Sequence, residues 1–176
     1  DDVMPYFLAA EDHYLGDSEF HGGGGEWRVE APRIGWELLD AIRDAAAEIG
    51  IPKVDDFNLG DNEGRAYFRV NKRGGRRWNA AQACLHPVRN RPNLTVFTRT
   101  QAHRVTFDGT RASGLVARRL EGMGQFVARR EVILAAGAIG SPHLLQMSGV
   151  GPGEVLQSFG IDPVHVSGGV GSNLQD

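Results

Sequence analysis

The stretch that most limits what this chain can fold into is residues 130–151, REVILAAGAIGSPHLLQMSGVG. Residues 131–136 hold an apolar run without alternation, the pattern of a strand covered on both faces, so a buried parallel strand is expected there. Gly137 and Gly140 then bracket a tight turn. Ser141 is placed to accept from the first free amides of a helix, and Pro142 takes its first position, where no donor is needed. Gly149 closes that helix. Strand, glycine turn and capped helix in this order let a backbone come close to a flat or phosphorylated ligand, although the same turn also serves plain packing.

The rest of the chain is read against that element. Residues 4–14 carry Met4, Phe7, Leu8 and Tyr14 in a loosely helical pattern. His21 and the four glycines Gly22 to Gly25 make a loop, since no helix start with Lys and Ser or Thr follows as a phosphate cradle would require, and residues 26–30 look extended. Residues 34–49 repeat Ile34, Leu38, Ile42, Ala45 and Ile49 at helical spacing, with Gly50 as the left-handed stop and Pro52 beyond it. Residues 55–64 form a turn-rich acidic loop that lacks the spacing of a calcium site. Tyr67 to Val70 reads as a strand, and residues 76–86 read as a second helix with Cys84 on its apolar side as a small core residue. Residues 94–98 are β-rich. Residues 102–107, 111–120 and 125–129, separated by Asp108-Gly109 and by Gly122 to Gly124, predict an antiparallel meander that feeds the strand at Val132. A short helix over 154–159 with Gly160 as its stop, and a short strand over 163–166, complete the pattern.

Several function classes fall away on composition. With 41% hydrophobic and 23% charged residues the chain has globular composition, and a net charge of −3 with scattered Lys and Arg leaves no footprint for nucleic acid. The cluster Lys72, Arg73, Arg76 and Arg77, broken by Gly74 and Gly75, reads as a solvated turn. No apolar run approaches the ~20 residues a membrane helix needs. A single cysteine, Cys84, forms no internal disulfide and suits a reducing, cytoplasmic compartment. None of the six histidines has metal-motif spacing, and all are assigned to solvent or to satisfied polar roles. His143 lies where it could approach a phosphate. The absence of any G-x-G-x-x-G argues against an independent dinucleotide-binding enzyme, a nicotinamide-dependent dehydrogenase included. No pattern sets an oligomeric state.

Gly137-Ala138, Ser141-Pro142, Leu144-Leu145 and Ser148-Gly149-Val150-Gly151 match, position by position, the second signature of the glucose-methanol-choline (GMC) flavin oxidoreductases. Residues 2–7, 56–58, 62–64, 91–96 and 171–176 are similar to the choline dehydrogenase-like branch of that family. The resemblance covers the whole chain but only the middle of the family's chain, without its N-terminal flavin-phosphate glycines or its C-terminal catalytic histidine pair. It therefore implies an internal fragment, and the missing start Met and the end at Asp176 agree with cut termini.

What the resemblance implies is an α/β fold: part of an FAD/NAD(P)-binding, Rossmann-like domain with an antiparallel β-meander, plus the helical start of a substrate domain. Residues 1–90 would be mainly substrate domain and residues 91–176 FAD-binding domain. The parent would be an FAD-dependent dehydrogenase or oxidase that moves hydride from the CH–OH group of a small, choline-like alcohol to flavin. The fragment alone would be inactive. Its cofactor-binding residues would be Ala102, whose backbone meets the adenine side of FAD, Ala136 and Gly137 in the glycine turn, and Asn173 and Leu174 in the loop over the flavin; no catalytic residue and no metal ligand is implied. Asn79 departs from the small hydroxyl residue usual in the family. The alternative is a non-catalytic module that keeps the flavoprotein fold for packing or partner binding.

Overall fold

The computed structural model describes residues 2–60 and 62–175. They form two compact units, Asp1–Val96 and Phe97–Asp176. Among the described residues no helix is long and apolar enough to cross a membrane.

In the first unit α1 (Met4–Ala10) starts with Pro5 in its first turn and stops where Glu11 turns extended. The chain passes directly into β1 (Glu11–His13), which pairs in parallel with β2 (Trp27–Val29) in the register Glu11 to Trp27 and His13 to Val29. The glycine loop between them is packed tightly. A Cβ on Gly22 would meet the Leu8 carbonyl, and one on Gly25 would meet the Ala10 backbone. These glycines are thus demanded by close approach as well as by loop conformation.

Helix α2 (Glu37–Glu48) has Glu37 and Asp40 in its first turn, where carboxylates suit the positive end of the helix dipole. Gly50, at φ +86°, ends it as expected: its amide donates to the Ala47 carbonyl at 3.0 Å and the Ile51 amide to Ala46 at 3.0 Å, the two bonds of a Schellman motif.

The expected second helix over 76–86 is corrected. Lys72–Arg73 (β3) and Arg76–Arg77 (β4) pair instead as a hairpin around Gly74 and Gly75, both at positive φ, as the tightest right-twisted turns require. Only after it does the chain coil, as a π-turn over Ala81–Leu85 and a 3-10 turn over His86–Val88. The wider π-turn rotates the inward face, so Ala83 is buried and Cys84 is exposed, against the expectation of a core cysteine. Asn79 also gains a role: its Oδ1 accepts from the Gln82 amide at 3.0 Å while its own amide donates to Gln82 Oε1 at 3.3 Å. This is a capping box, and Asn caps about as well as the hydroxyl residue of the family pattern. Asn79→Ser should leave stability unchanged, whereas Asn79→Ala should lower it by about 1 kcal/mol in urea unfolding. The expected strand over 67–70 reduces to one antiparallel bridge between Glu30 and Val70.

In the second unit β5 (Gln101–Asp108), β6 (Arg111–Arg119) and β7 (Gly122–Val127) form the antiparallel meander, with β5 and β7 at its edges. The register of β5 on β6 shifts between Ala102 and Arg104, so His103 is the extra residue of a bulge. The second turn falls at Leu120 and Glu121, leaving Gly122 to Gly124 inside β7. Residues 94–98 form no strand.

Helix α3 (Gly137–Met147) packs along β5. The buried Ser148 hydroxyl ties the two together, accepting from the Val105 amide at 2.8 Å and donating to the Leu144 carbonyl. Beyond it β8 (Val150–Gly151), α4 (Gly153–Ser158) and β9 (His165–Val166) make a miniature parallel crossover closed over Leu156, which is 1% exposed. Gly160 repeats the Schellman stop of Gly50, with Gly160 and Ile161 amides donating to Gln157 and Leu156.

The expected buried strand over 131–136 is not formed. Ile133 is 79% exposed, and the segment pairs with no strand among the described residues. An apolar run marks a segment suited to burial between layers, but a ladder needs neighbours on both sides. The start of α3 differs as well. Pro142 lies inside the helix, and Ser141 Oγ accepts from the Ala136 amide at 3.0 Å, a bond that closes the glycine turn.

Candidate functional site

The turn between residue 136 and α3, and the bulged end of β5, meet at a cavity of about 580 Å³. Ala102 and Ala136 both line it, with Gly140, Leu144 and Met147 behind them. Because β5 is an edge strand and Ala102 adjoins the bulge, backbone groups here are not all consumed by the ladder. The polar side chains of the wall are Thr100, Gln101, His103, Arg118 and His143, and among the described residues no carboxylate lines it. The first turn of α3 also carries no acidic residue, so the partial positive charge of its N-terminus is not cancelled there. A cavity with a small apolar floor, an available backbone edge and uncompensated positive charge fits the nucleotide part of a dinucleotide cofactor.

The other expected cofactor residues, Gly137, Asn173 and Leu174, are not on this wall. Gly137, at φ +83°, is the first residue of α3, a conformation that suits glycine. Asn173 takes φ +56° in the exposed loop after Gly171, and Leu174 is exposed. That loop is held to α3 by Gln146, whose Nε2 donates to the Val170 carbonyl at 3.1 Å. His103 and Arg118 are wall residues that the sequence assigned to solvent or left unassigned, and they are joined by His143, which the sequence assigned to solvent or a satisfied polar role while placing it within reach of a phosphate. The bulge that turns His103 out of the ladder leaves no mark in residue type.

A second cluster lies in the first unit, where the sequence assigned its histidines to solvent or to satisfied polar roles. His13, His21 and Asp56 are all buried. His21 Nδ1 is 3.0 Å from Glu11 Oε2, which also accepts from the Gly22 amide, and His21 Nε2 is 3.6 Å from Asp56 Oδ2. Asp56 is held further by the Asn58 amide at 3.0 Å and by Arg69 Nε at 3.1 Å. Burial pushes the Asp56 carboxyl up, but the Asn58 amide and the Arg69 guanidinium outweigh it and hold it below the usual carboxylate value. His13 stacks on His21 with ring centroids 4.0 Å apart and planes at 11°. Neither of its ring nitrogens has a hydrogen-bond partner among the described residues, so the expectation of a satisfied polar role is corrected. Burial lowers the His13 pKa, and the adjacent His21 lowers it further.

Donor atoms of His13, His21 and Asp56 lie within 4.8 Å of one another, near enough to test as a metal centre. The ring geometry argues against it. Imidazole lone pairs lie in the ring plane, and one ion cannot lie in the planes of two stacked rings tilted by only 11° with centroids 4.0 Å apart. The Asp56 oxygens are moreover already engaged by Arg69 and Asn58.

Comparison with known proteins completes the picture. The chain is 43% identical to the oxygen-dependent choline dehydrogenase of Stenotrophomonas maltophilia over 177 residues, covering 99% of this chain and 32% of that protein. It thus spans about a third of the length of the curated relatives it matches. Pyridoxine 4-oxidase from Mesorbium loti superposes with a TM-score of 0.89 at 35% identity, over 94% of this chain and 33% of the other. An FAD-dependent oxidoreductase from Chaetomium thermophilum superposes with a TM-score of 0.91 at 28% identity, over 99% of this chain and 33% of the other. The fold is therefore that of the corresponding part of flavoprotein oxidoreductases. The sequence profile described as GMC oxidoreductase matches residues 1–176, and the chain belongs to the GMC oxidoreductase family.

Proposed function

We propose that this chain is a segment of an FAD-dependent oxidoreductase acting on the CH–OH group of a small alcohol, and that residues 91–176 supply part of its Rossmann-like FAD-binding domain while residues 1–90 belong mainly to its substrate domain. The observation that carries the reading is the meeting of Ala102 and Ala136 on one acid-free cavity, in a chain whose relatives include an FAD-dependent oxidoreductase and choline dehydrogenases. The chemistry supplied by bound FAD is acceptance of a hydride from the carbinol carbon.

This chain's residues bind and position rather than react. The backbone of Ala102 on the edge strand meets the adenine side of the cofactor. Ala136 and Gly137, which together add a single methyl, let the backbone come close to it. The loop of Asn173 and Leu174 covers the flavin, and Arg118 supplies positive charge at the cavity wall. No residue of the chain is assigned to proton abstraction. Choline is the substrate named for the first relative, which makes a small, choline-like alcohol the substrate class to test. A single exposed cysteine suits a cytoplasmic setting.

The test places a carboxylate at the cavity. In the longer protein carrying this segment, Ala136→Glu should weaken FAD retention about tenfold or more, the size of a modest charge repulsion, while Thr110→Glu at the exposed hairpin tip should not. Equal retention by the two variants would remove Ala136 from the cofactor site.

A further inference from the structure

The stacked imidazoles of the first unit sit on the glycine loop. His13 belongs to β1, and its amide donates to the Gly22 carbonyl at 2.8 Å. His21 enters the loop from the other side, with its amide on Ser18 Oγ at 3.0 Å and its Nδ1 on Glu11. Glu11 Oε2 also holds the Gly22 amide, and the Glu11 carbonyl takes the Gly25 amide at 2.9 Å. Asp12 Oδ1 adds a bond from the Gly24 amide at 3.3 Å, so all three residues of β1 fasten the glycine loop, and the two bonds to Gly22 come from His13 itself and from the Glu11 carboxylate that holds His21. His21 and Glu11 are at the same time wall residues of a cavity of about 760 Å³ whose apolar side includes Phe7, Phe20, Trp27 and Phe57.

His13 differs from His21 in one decisive respect. His21 Nδ1 is hydrogen-bonded to Glu11 at 3.0 Å and its Nε2, though without a hydrogen bond, has the Asp56 carboxylate 3.6 Å away, whereas neither nitrogen of His13 has a hydrogen-bond partner or a carboxylate within ion-pair reach among the described residues. At 3% exposure a charge on His13 would have neither water nor an acceptor to stabilise it. The titratable and charged groups that act on it are His21 from the glycine loop, Glu11 from its own strand, Asp56 from the acidic loop and Arg69 from the segment after it; the Tyr14 ring packs at 4.7 Å. Two of these attract a proton, and two repel it, so the neighbours do not offset burial.

We propose that the His13–His21 stack is an acid-labile latch on the glycine loop, so that a proton taken up by His13 separates the rings, frees Gly22 from Glu11 and opens the cavity wall formed by His21 and Glu11. The latch is closed at neutral pH, where His13 is uncharged. The direction follows from linkage. The folded state holds His13 below its ordinary value of 6.5, so the open state binds more protons in the window beneath that value, and the closed state loses ground as pH falls through it.

Amide hydrogen exchange of the chain between pH 7.5 and 5, corrected for intrinsic rates, tests this. The protection of the Gly22 and His13 amides should fall with pH, approaching tenfold per unit for one linked proton, while the Val70 amide, bonded to Glu30, keeps its protection. His13→Phe keeps an aromatic ring against His21 but cannot titrate, and its loop protection should be flat over the same range. An equal fall in His13→Phe, or none in the wild type, would overturn the latch. Should His13→Phe fail to fold, the ring-proton shifts of His13 decide. A midpoint shared with loop opening supports the latch, and opening while His13 stays neutral overturns it.

Discussion

Replacing Gly22 by alanine should destabilise the first unit by about 3 kcal/mol, the upper range for overpacking, because the new methyl is driven into the Leu8 carbonyl and its carbonyl carbon. The obstacle is backbone of α1, not the end of a flexible side chain, so relief requires moving the helix or the loop. A second variant separates this from the ordinary cost of replacing glycine. Gly24 has φ +90° with nothing near its would-be Cβ, so Gly24→Ala should cost only the left-handed penalty of roughly 1–2 kcal/mol. Urea unfolding of both variants is the check. Equal losses would mean that α1 and the glycine loop do not pack as described.

Asp56→Ala should be as damaging, by about 3–5 kcal/mol, since it strands a part-buried Arg69 and removes the acceptor of the Asn58 amide and the neighbour of His21 Nε2. Its pH dependence carries a sign. The Asp56 carboxyl titrates below its ordinary value of 3.8 in the folded state, so its contribution is complete above that value and is lost as pH falls toward the folded pKa. The stability of the wild type should therefore drop steeply in acid, and the gap between wild type and Asp56→Ala should narrow there. A gap unchanged from pH 7 down to pH 3 would mean that the carboxylate form of Asp56 does not hold this network together.

How far the sequence reaches is seen residue by residue. Gly50 and Gly160 were legible as helix stops because a left-handed C′ residue is a local demand that glycine meets, and both close Schellman motifs. The first turn of the meander was legible for the same reason, with Gly109 at positive φ between paired Asp108 and Arg111. Local rules failed where distant partners decide. Residues 131–136 have strand composition but no ladder among the described residues, and Cys84 moved off the inward face because a π-turn changes the helical phase. At the cavity, the glycine turn was readable, whereas the bulge at His103 and the arrival of Arg118 from the neighbouring strand depend on register. The buried imidazoles were least legible of all. Nothing in the spacing of His13, His21 and Asp56 distinguishes stacked, buried rings from solvated loop residues.

Whether this segment contributes to an FAD site is decided by the visible absorption spectrum of the longer protein that carries it, taken after incubation with FAD and removal of free ligand. A flavin band of shifted shape should be retained in that protein and lost from the Ala136→Glu variant. A longer protein that folds yet retains no flavin would contradict that contribution.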